Sequence, residues 1–371
     1  MQTLNPETGG VVRAVVSLAE AMERRGVRNE VVTLDDPASG WLTAAAFPVH
    51  ALGRGRGSYS YSSALRPWLE KNAERFDRVV VHGLWQHPSF AVRQVFFPRK
   101  IPYFVFPHGM LDPWFKRTFP LKHLKKWLYW PWGEYRVLRD AAAVIFTSEE
   151  ERRLARESFW LYCANERISP LGAEAAVADG QTERELFLAR FPQIADTRML
   201  LFLGRIHPKK GCDLLLDAFP RGDGNLSLVL AGPDQWGNEL RARVVRQDLS
   251  PRIIFPGMLQ GALKCGAFAC ADAFILPSHQ ENFGISVVEA LSYGVPVLIS
   301  DRINIWREIE ADRAGYVESD DLAGTTRLIE RWLATSADDR EKMRANARRC
   351  FLTRFEIGQA AESLLHILQT P

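Results

Sequence analysis

The sequence predicts an α/β protein built from two doubly wound, Rossmann-like domains, and three observations carry that prediction. Apolar, strand-length runs alternate with helical patterns from end to end, which is the signature of parallel sheets covered by helices. The alternation restarts after Gly172, and 371 residues is the length of two or three ordinary domains. The runs themselves are rich in Val, Ile, Leu and Phe without a polar alternation, as strands buried on both faces must be.

In chain order, "NEVVTL" (Asn29–Leu34), "RVVVHG" (Arg78–Gly83), "PYFVFPHG" (Pro102–Gly109) and "AAVIFTS" (Ala142–Ser148) read as the strands of a first domain, residues 1–172. A helix over Val11–Arg25 precedes them, closed by Gly26 with basic residues in its last turn. The second domain, residues 173–371, contributes "MLLFLGR" (Met199–Arg205), "LSLVLAG" (Leu226–Gly232), "RIIFPG" (Arg252–Gly257), "AFILPS" (Ala273–Ser278) and "VPVLIS" (Val295–Ser300). The stretch Leu171–Phe187, rich in Ala, Glu and Gly, marks the boundary, and the last helix, about Gly358–Leu368, is free to pack on either domain. One feature breaks the pattern: "NPETGG" runs straight into a helix with no strand ahead of it. Either the first domain lacks its central strand, or the natural polypeptide starts upstream of Met1. The second reading is preferred, because losing a central strand leaves its neighbours' backbone groups unpaired.

Composition narrows the function classes. The chain is 47% hydrophobic and 25% charged with a net charge of +3, too balanced to suggest nucleic-acid binding. No apolar run approaches the ~20 residues that span a bilayer, and the first residues lack the basic start and apolar stretch of a signal peptide. The five cysteines are odd in number and irregularly spaced; Cys265 and Cys270 have no second pair or nearby histidine to complete a metal site. These features predict buried free thiols in a reducing cytoplasm, no metal, and a cytoplasmic protein or one peripheral to the inner face of a membrane.

The chemistry concentrates in "SHQENFGISVVEALSYGVPVL". A helix starting near Gly284 and stopping at Gly294 leaves Glu281 in the loop before it and Glu289 inside it. Between them lie the unpaired N–H groups of a helix N-terminus, which attract anions. This order suits a ligand with phosphate in the middle and hydroxyls at both ends. Upstream, "FLGRIHPKKG" carries Arg205 and Lys210 to the carboxyl edge of the second domain's sheet, where two cations beside a helix N-terminus form a diphosphate clamp. The alternative for that pair is a solvated basic turn, which loses ground once both glutamates are placed on the same edge.

These residues resemble a known family. "GRIHPKKG", "LAGPD", "FPG" and the Glu281-x7-Glu289 block with its Asn282-Phe283-Gly284 turn are similar to the family 4 retaining glycosyltransferases of GT-B fold. In the first domain, "ETGGVVRAVVSLAEAMERRG", "VVVHGLW", "FVFPHGMLDPW" and "FTSEEERRL" resemble that family's opening Gly-Gly loop, its two His-bearing strand ends and its Thr-Ser-Glu turn. The resemblance covers nearly the whole chain in order, short of a first strand. It implies two Rossmann-like domains facing across a cleft, a nucleotide-diphosphate sugar as donor substrate with no separate cofactor, and a saccharide or lipid-linked saccharide as acceptor, in cell-surface polysaccharide synthesis.

The resemblance also implies residue roles. Glu289 holds the ribose hydroxyls, and Glu281 contacts the transferred sugar. Backbone N–H groups near Phe283 and Gly284, with Asn282 in the same turn, meet sugar or phosphate, while Arg205 and Lys210 neutralise the leaving diphosphate. His108 is the cleft histidine near the reacting carbon, against the plainer reading of a satisfied turn residue. His82 touches the acceptor. Gly9 and Gly10 bring backbone close to phosphate, or form an ordinary turn. Asp112 shapes the acceptor pocket or caps the next helix. No Asp-x-Asp pair occurs in the chain, in keeping with catalysis by side-chain cations without metal.

The segment "PWFKRTFPLKHLKKWLYWPWGEYR", Pro113–Arg136, holds six Lys or Arg against one Glu, and four of the eleven Trp, so its basic and aromatic residues are interleaved. It fits a peripheral membrane contact through Lys125, Lys126, Trp127 and Trp130, or a helix that buries its aromatics and solvates its lysines. Two other functions remain open at this level: a GT-B nucleotide-sugar epimerase, and a membrane-surface binding module without turnover.

Overall fold

The computed structural model describes residues 1–176, 180–222, 225–236 and 238–370. Part of the predicted boundary stretch, residues 177–179, lies outside the described residues. The chain divides into two compact units, Met1–Gly172 with Ile357–Pro371, and Ala173–Glu356.

The first unit contains strands β1 (Val31–Thr33), β2 (Val49–Ala51), β3 (Val79–His82), β4 (Tyr103–Phe106), β5 (Ala143–Phe146) and β6 (Glu166–Ile168). β1 and β2 form a parallel pair, and β3-β4-β5-β6 a parallel four-stranded sheet. Strand alternation sorts side chains to the two faces. Phe104, Phe106 and Ile145 pack with Leu18 and Met22 of the Gly10–Glu23 helix and with Ile357, Ala360 and Leu364 of the last helix, Ile357–Gln369. Val105, Val144 and Phe146 pack on the opposite side with Val92, Val95 and Phe96. The last helix therefore belongs to the core of the first unit, an assignment its amphipathic sequence left open.

The second unit is one six-stranded parallel sheet of β7 (Arg198–Leu203), β8 (Leu226–Ala231), β9 (Ile253–Gly257), β10 (Ala273–Leu276), β11 (Val297–Ser300) and β12 (Gly315–Glu318), in the order β12-β11-β10-β7-β8-β9. The order reverses between β7 and β10, so the chain leaves those two neighbours in opposite directions and opens a crevice at their carboxyl ends. Strands β2, β6 and β12 are too short or too weakly apolar to stand out in the sequence. All five cysteines are free thiols, but the expectation that they are buried holds only for Cys212 and Cys350; Cys265 and Cys270 are half-buried and Cys163 is exposed.

Candidate functional site

The second unit's candidate residues converge on the crevice between β7 and β10. The loop after β7 runs through Arg205 to a turn at Pro208–Lys210 and then Gly211, which caps the Cys212–Ala218 helix with φ 68. A side chain at Gly211 would meet the carbonyl of Pro277 at 2.3 Å, so glycine here lets the β7 and β10 loops touch. The contact is tied by His279 N–H and Ser278 Oγ, which both donate to the Lys209 carbonyl, at 2.9 and 3.1 Å. In that helix the buried residues are Cys212, Leu215 and Leu216.

This docking sets Lys210 Nζ directly against Glu281 Oε2, with both side chains mostly shielded from solvent. Arg205 is exposed and, among the described residues, has no hydrogen-bond or ion-pair partner. The Glu281 main chain is held on both sides by the loop after β11: its N–H donates to the Arg302 carbonyl at 3.0 Å, and Asn304 N–H donates to its carbonyl at 3.1 Å. Asn304 Nδ2 also reaches Asn282 Oδ1 at 3.3 Å. Phe283 is buried edge-on against Phe355, anchoring the turn. Gly284, with φ 73, then starts the Ile285–Ser292 helix. A Cβ there would crowd Ile303 and Val287 at 3.1 and 3.2 Å in a left-handed conformation that other residues avoid.

Glu289 lies within this helix, and Lys264 of the Gly261–Cys270 helix meets it at 2.6 Å. Lys264 is a candidate that sequence reasoning missed. Nothing local marks it, because its partner is 25 positions away and the contact depends on how the two helices pack. Both glutamates thus carry a lysine, Glu281 at the loop and Glu289 one turn into the helix.

In the first unit, β3 and β4 end side by side and bring His82 and His108 together. His82 Nδ1 and His108 Nε2 are 3.0 Å apart, and both rings stack on Phe106. His108 has φ 50, and its Nδ1 is buried without a partner among the described residues. Burial lowers the His108 pKa to about 4. His82 is held well below the ordinary range by burial, then by His108 and the N-terminal ammonium. At neutral pH the pair is uncharged, and one imidazole N–H serves both rings.

A second missed residue holds this edge in place. Glu151 accepts from Gly109 N–H at 2.5 Å through one oxygen, and from the Thr147 N–H and hydroxyl, each at 2.7 Å, through the other. It joins the loops after β4 and β5. Its signal was available in the sequence: Ser148-x-x-Glu151 is a helix-capping pattern, and Ser148 Oγ accepts from Glu151 N–H at 3.1 Å. Asp112 Oδ1 accepts from Trp114 N–H at 2.8 Å, a local turn at the head of the next helix, and Asp112 also lines a cavity of about 210 Å³ with Phe115, His123 and Lys126. Gly9 (φ 121) links the Pro6–Thr8 turn to the helix that starts at Gly10.

The basic, aromatic segment is three short helices, Trp114–Thr118, Pro120–Tyr129 and Glu134–Arg139. Two of its expected surface contacts turn inward. Trp130 is fully buried with its indole N–H on the Trp160 carbonyl, and the Lys126 ammonium sits over the Trp85 ring. The middle helix is otherwise exposed: it buries no residue, and Leu121 and Leu128 are 79% and 62% exposed. Among the described residues, no helix is long and apolar enough to cross a membrane, and no cluster of three or more His, Cys, Asp or Glu is set to hold a metal ion.

Comparison with known proteins decides the family. Residues 9–172 match the glycosyl transferase 4-like domain, and residues 184–350 match the glycosyl transferases group 1 domain. The chain belongs to the group 1 glycosyltransferases. This glycosyltransferase-family chain is 26% identical over 236 residues to the D-inositol 3-phosphate glycosyltransferase of Jonesia denitrificans, covering 58% of this chain and 54% of that one. It is 34% identical over 135 residues to the phosphatidyl-myo-inositol mannosyltransferase of Mycobacterium leprae, covering 35% of each. The chain thus spans about half, or less, of the length of these curated relatives. Among solved structures, Anabaena HepE in complex with UDP superposes with a TM-score of 0.80 at 18% identity, over 100% of this chain and 98% of that one. Sucrose-phosphate synthase from Thermosynechococcus elongatus superposes with a TM-score of 0.75 at 20% identity, over 97% and 93%. These likenesses show the fold: GT-B, with two Rossmann-like α/β halves.

Proposed function

We propose that this protein is a retaining glycosyltransferase that moves a sugar from a nucleoside-diphosphate sugar to a saccharide or lipid-linked saccharide acceptor, in cell-surface polysaccharide synthesis. The observation that carries the reading is the pairing at the β7–β10 crevice, where Lys210–Glu281 and Lys264–Glu289 flank one helix N-terminus. A diphosphate arriving there meets Arg205 and Lys210 together with helix N–H groups, which is how folds of this kind hold anions. Glu289, five residues into the helix, stands about 7 Å further along, a ribose away. Glu281 faces the sugar. As the glycosidic bond breaks, the sugar becomes cationic and the diphosphate gains charge, so the carboxylate and the two cations act where charge develops. Side-chain cations perform the neutralisation that a metal performs elsewhere. In the first unit, His108 is assigned to the transferred sugar, His82 and Asp112 to the acceptor, and Gly9 and Gly10 to phosphate. Family membership supports this reading, as do the glycosyltransferase names of the relatives and the UDP bound to HepE.

A panel of UDP-, GDP- and ADP-sugars, tested for saturable binding and for transfer of labelled sugar, examines the proposal directly. One donor should turn over, in EDTA as well as without it. The glutamates should then separate. Glu289→Gln raises the donor KM more than it lowers kcat, since ribose changes little in the transition state, whereas Glu281→Gln mainly lowers kcat. Lys264→Met should follow Glu289→Gln, because Lys264 acts through that carboxylate. Equal loss of nucleotide affinity in both Gln variants, or no binding across the panel, would overturn the assignment.

The exposed Pro120–Tyr129 helix favours a lipid-linked acceptor met at a membrane surface. Leu121, Leu124 and Leu128 are exposed beside Lys122 and Lys125, the combination that lies in a lipid interface. Vesicles containing anionic lipid should bind the protein, and Lys122→Gln with Lys125→Gln should weaken binding as added salt does. Salt-insensitive binding, or none, would leave a soluble saccharide as the acceptor.

A further inference from the structure

The loop after β4 and the Pro120–Tyr129 helix of the first unit line the cavity of about 210 Å³ that Asp112 borders. It sits on the same sheet edge as the histidine pair, because Met110 and Asp112 follow His108 on its loop. Met110 ties that loop to the end of β3: its sulfur accepts from Leu84 N–H and its carbonyl from the Trp85 indole N–H, each at 3.1 Å. One wall is a fixed aromatic stack. The Phe159 ring lies 4.6 Å from that of the fully buried Trp130 and 4.7 Å from that of His123. Phe115 and Phe119 add two more apolar rings to the lining.

The lining carries positive charge that the protein itself does not pair. Lys122 and Lys126 both reach it, and among the described residues neither ammonium has a hydrogen-bond or ion-pair partner. Each lies over aromatic rings instead. Lys126 Nζ is 4.6 Å from the centre of the Trp85 ring and 5.4 Å from that of Phe115, and Lys122 Nζ is 4.9 Å from that of Phe119. A ring face holds an ammonium in place without neutralising it. Burial lowers the Lys126 pKa to about 8, with Glu134 opposing the shift and Lys122 adding to it. Burial, Lys116 and Lys126 lower that of His123, so at neutral pH the imidazole is uncharged and donates one N–H. The one carboxylate on the lining is Asp112, which already accepts from Trp114 N–H.

We infer that this cavity is an acceptor subsite for a sugar ring bearing an anionic substituent, a carboxylate or a phosphate. Lys122 and Lys126 take the anion, and the Phe115 and Phe119 rings pack on the C–H face of the sugar. Asp112 accepts from a sugar hydroxyl, as does the Ser158 hydroxyl, whose own proton goes to the Ala155 carbonyl. Chemistry and size exclude the other occupants. A lipid chain here would bury two ammoniums against hydrocarbon. A bare phosphate would leave the aromatic walls unfilled. At about 210 Å³ the cavity is smaller than the ~300–1,000 Å³ pockets that hold drug-sized ligands, and it takes a single ring. The inference rests on the proposed transferase reading and narrows its acceptor: beside His108, the anionic ring is the unit that receives the sugar or adjoins it.

The test is titration calorimetry on the full chain, without donor or vesicles, using a methyl hexuronide, a hexose 6-phosphate, a neutral methyl hexoside and inorganic phosphate. One of the two anionic sugars should bind roughly tenfold or more tightly than the neutral hexoside and than inorganic phosphate, and the tighter of the two names the anion. Lys126→Gln should remove most of that preference. Lys122 is exposed, so Lys122→Gln leaves the core intact and should weaken binding of the anionic sugar by roughly fivefold, whether or not the Lys126 variant folds. Three results would overturn the inference: equal binding of anionic and neutral sugars, inorganic phosphate binding as tightly as the anionic sugar, or a preference unchanged by Lys122→Gln. A donor that turns over while these ligands bind equally removes the subsite alone. Binding of an anionic sugar with no donor turned over removes the transferase reading and leaves the subsite standing.

Discussion

Replacing Lys210 with alanine is expected to lower donor turnover by roughly 30- to 1,000-fold, corresponding to about 2–4 kcal/mol of transition-state stabilisation. Two effects add at this residue. The leaving diphosphate loses a charge-assisted contact, and Glu281 is left without the cation that shields it in the ligand-free protein. The second effect is separable. In a Glu281→Gln background, Lys210→Ala should cost less, and the difference is the coupling energy between the two side chains. Lys210→Arg should not restore full activity, because a planar guanidinium presents its donors in a fixed fork where the ammonium presents a compact point charge to Glu281. Arg205→Ala should also lower turnover. Its exposure means that it acts on the ligand alone, so the effect of Glu281→Gln should simply add to it. The measurement is kcat and kcat/KM with the saturating donor, alongside thermal unfolding to show that each variant is folded. Near-normal rates in both alanine variants would remove the clamp from the mechanism.

Acidification is expected to destabilise the first unit through the histidine pair. The sign follows from the direction of the shift. His108 has a pKa of about 4 when folded and an ordinary value near 6.5 when unfolded. As pH falls below 6.5 the unfolded chain takes up a proton that the folded ring refuses, so stability drops, and the drop levels off near pH 4. Between pH 7 and pH 5 this amounts to about 2 kcal/mol for His108. His82 acts in the same direction. Glu134 acts in the opposite one, because burial raises its pKa to about 7 and the folded state holds a proton that the unfolded state releases. His108→Asn isolates the histidine contribution, since asparagine tolerates the positive φ and does not titrate. Amide exchange in β3 and β4 should show the loss between pH 7 and pH 5 shrinking by about 2 kcal/mol in that variant. An unchanged pH dependence would mean that the pair is not held neutral.

Much of the fold is written in local pattern. Buried parallel strands must be apolar on both faces, so runs such as "LSLVLAG" and "AFILPS" announce themselves, and the helix at Gly284–Gly294 is bracketed by the glycines that start and stop it. The Glu281–Glu289 spacing and the Arg205–Lys210 turn are local too, which is why the donor-site candidates could be named before any coordinates. Glu151 was equally legible, because a capping box lies within four residues.

Other features depend on elements that meet only after folding. The last helix has an apolar face that suits any core, and packing alone sends it to Leu18 and Phe104 of the first unit. The basic, aromatic segment reads uniformly along the chain, yet folding buries Trp130 and exposes Leu121 and Leu128 on adjacent helices. Which lysine meets which carboxylate is also a tertiary outcome: Lys210 reaches Glu281 across 71 positions and Lys264 reaches Glu289 across 25. Sequence by itself determined the strands, the helix termini and the carboxylate spacing, because each follows from backbone hydrogen bonding and side-chain period within a few residues. The charge pairing and the neutral histidine pair were decided by tertiary packing, which brings together groups whose separation along the chain carries no local signal.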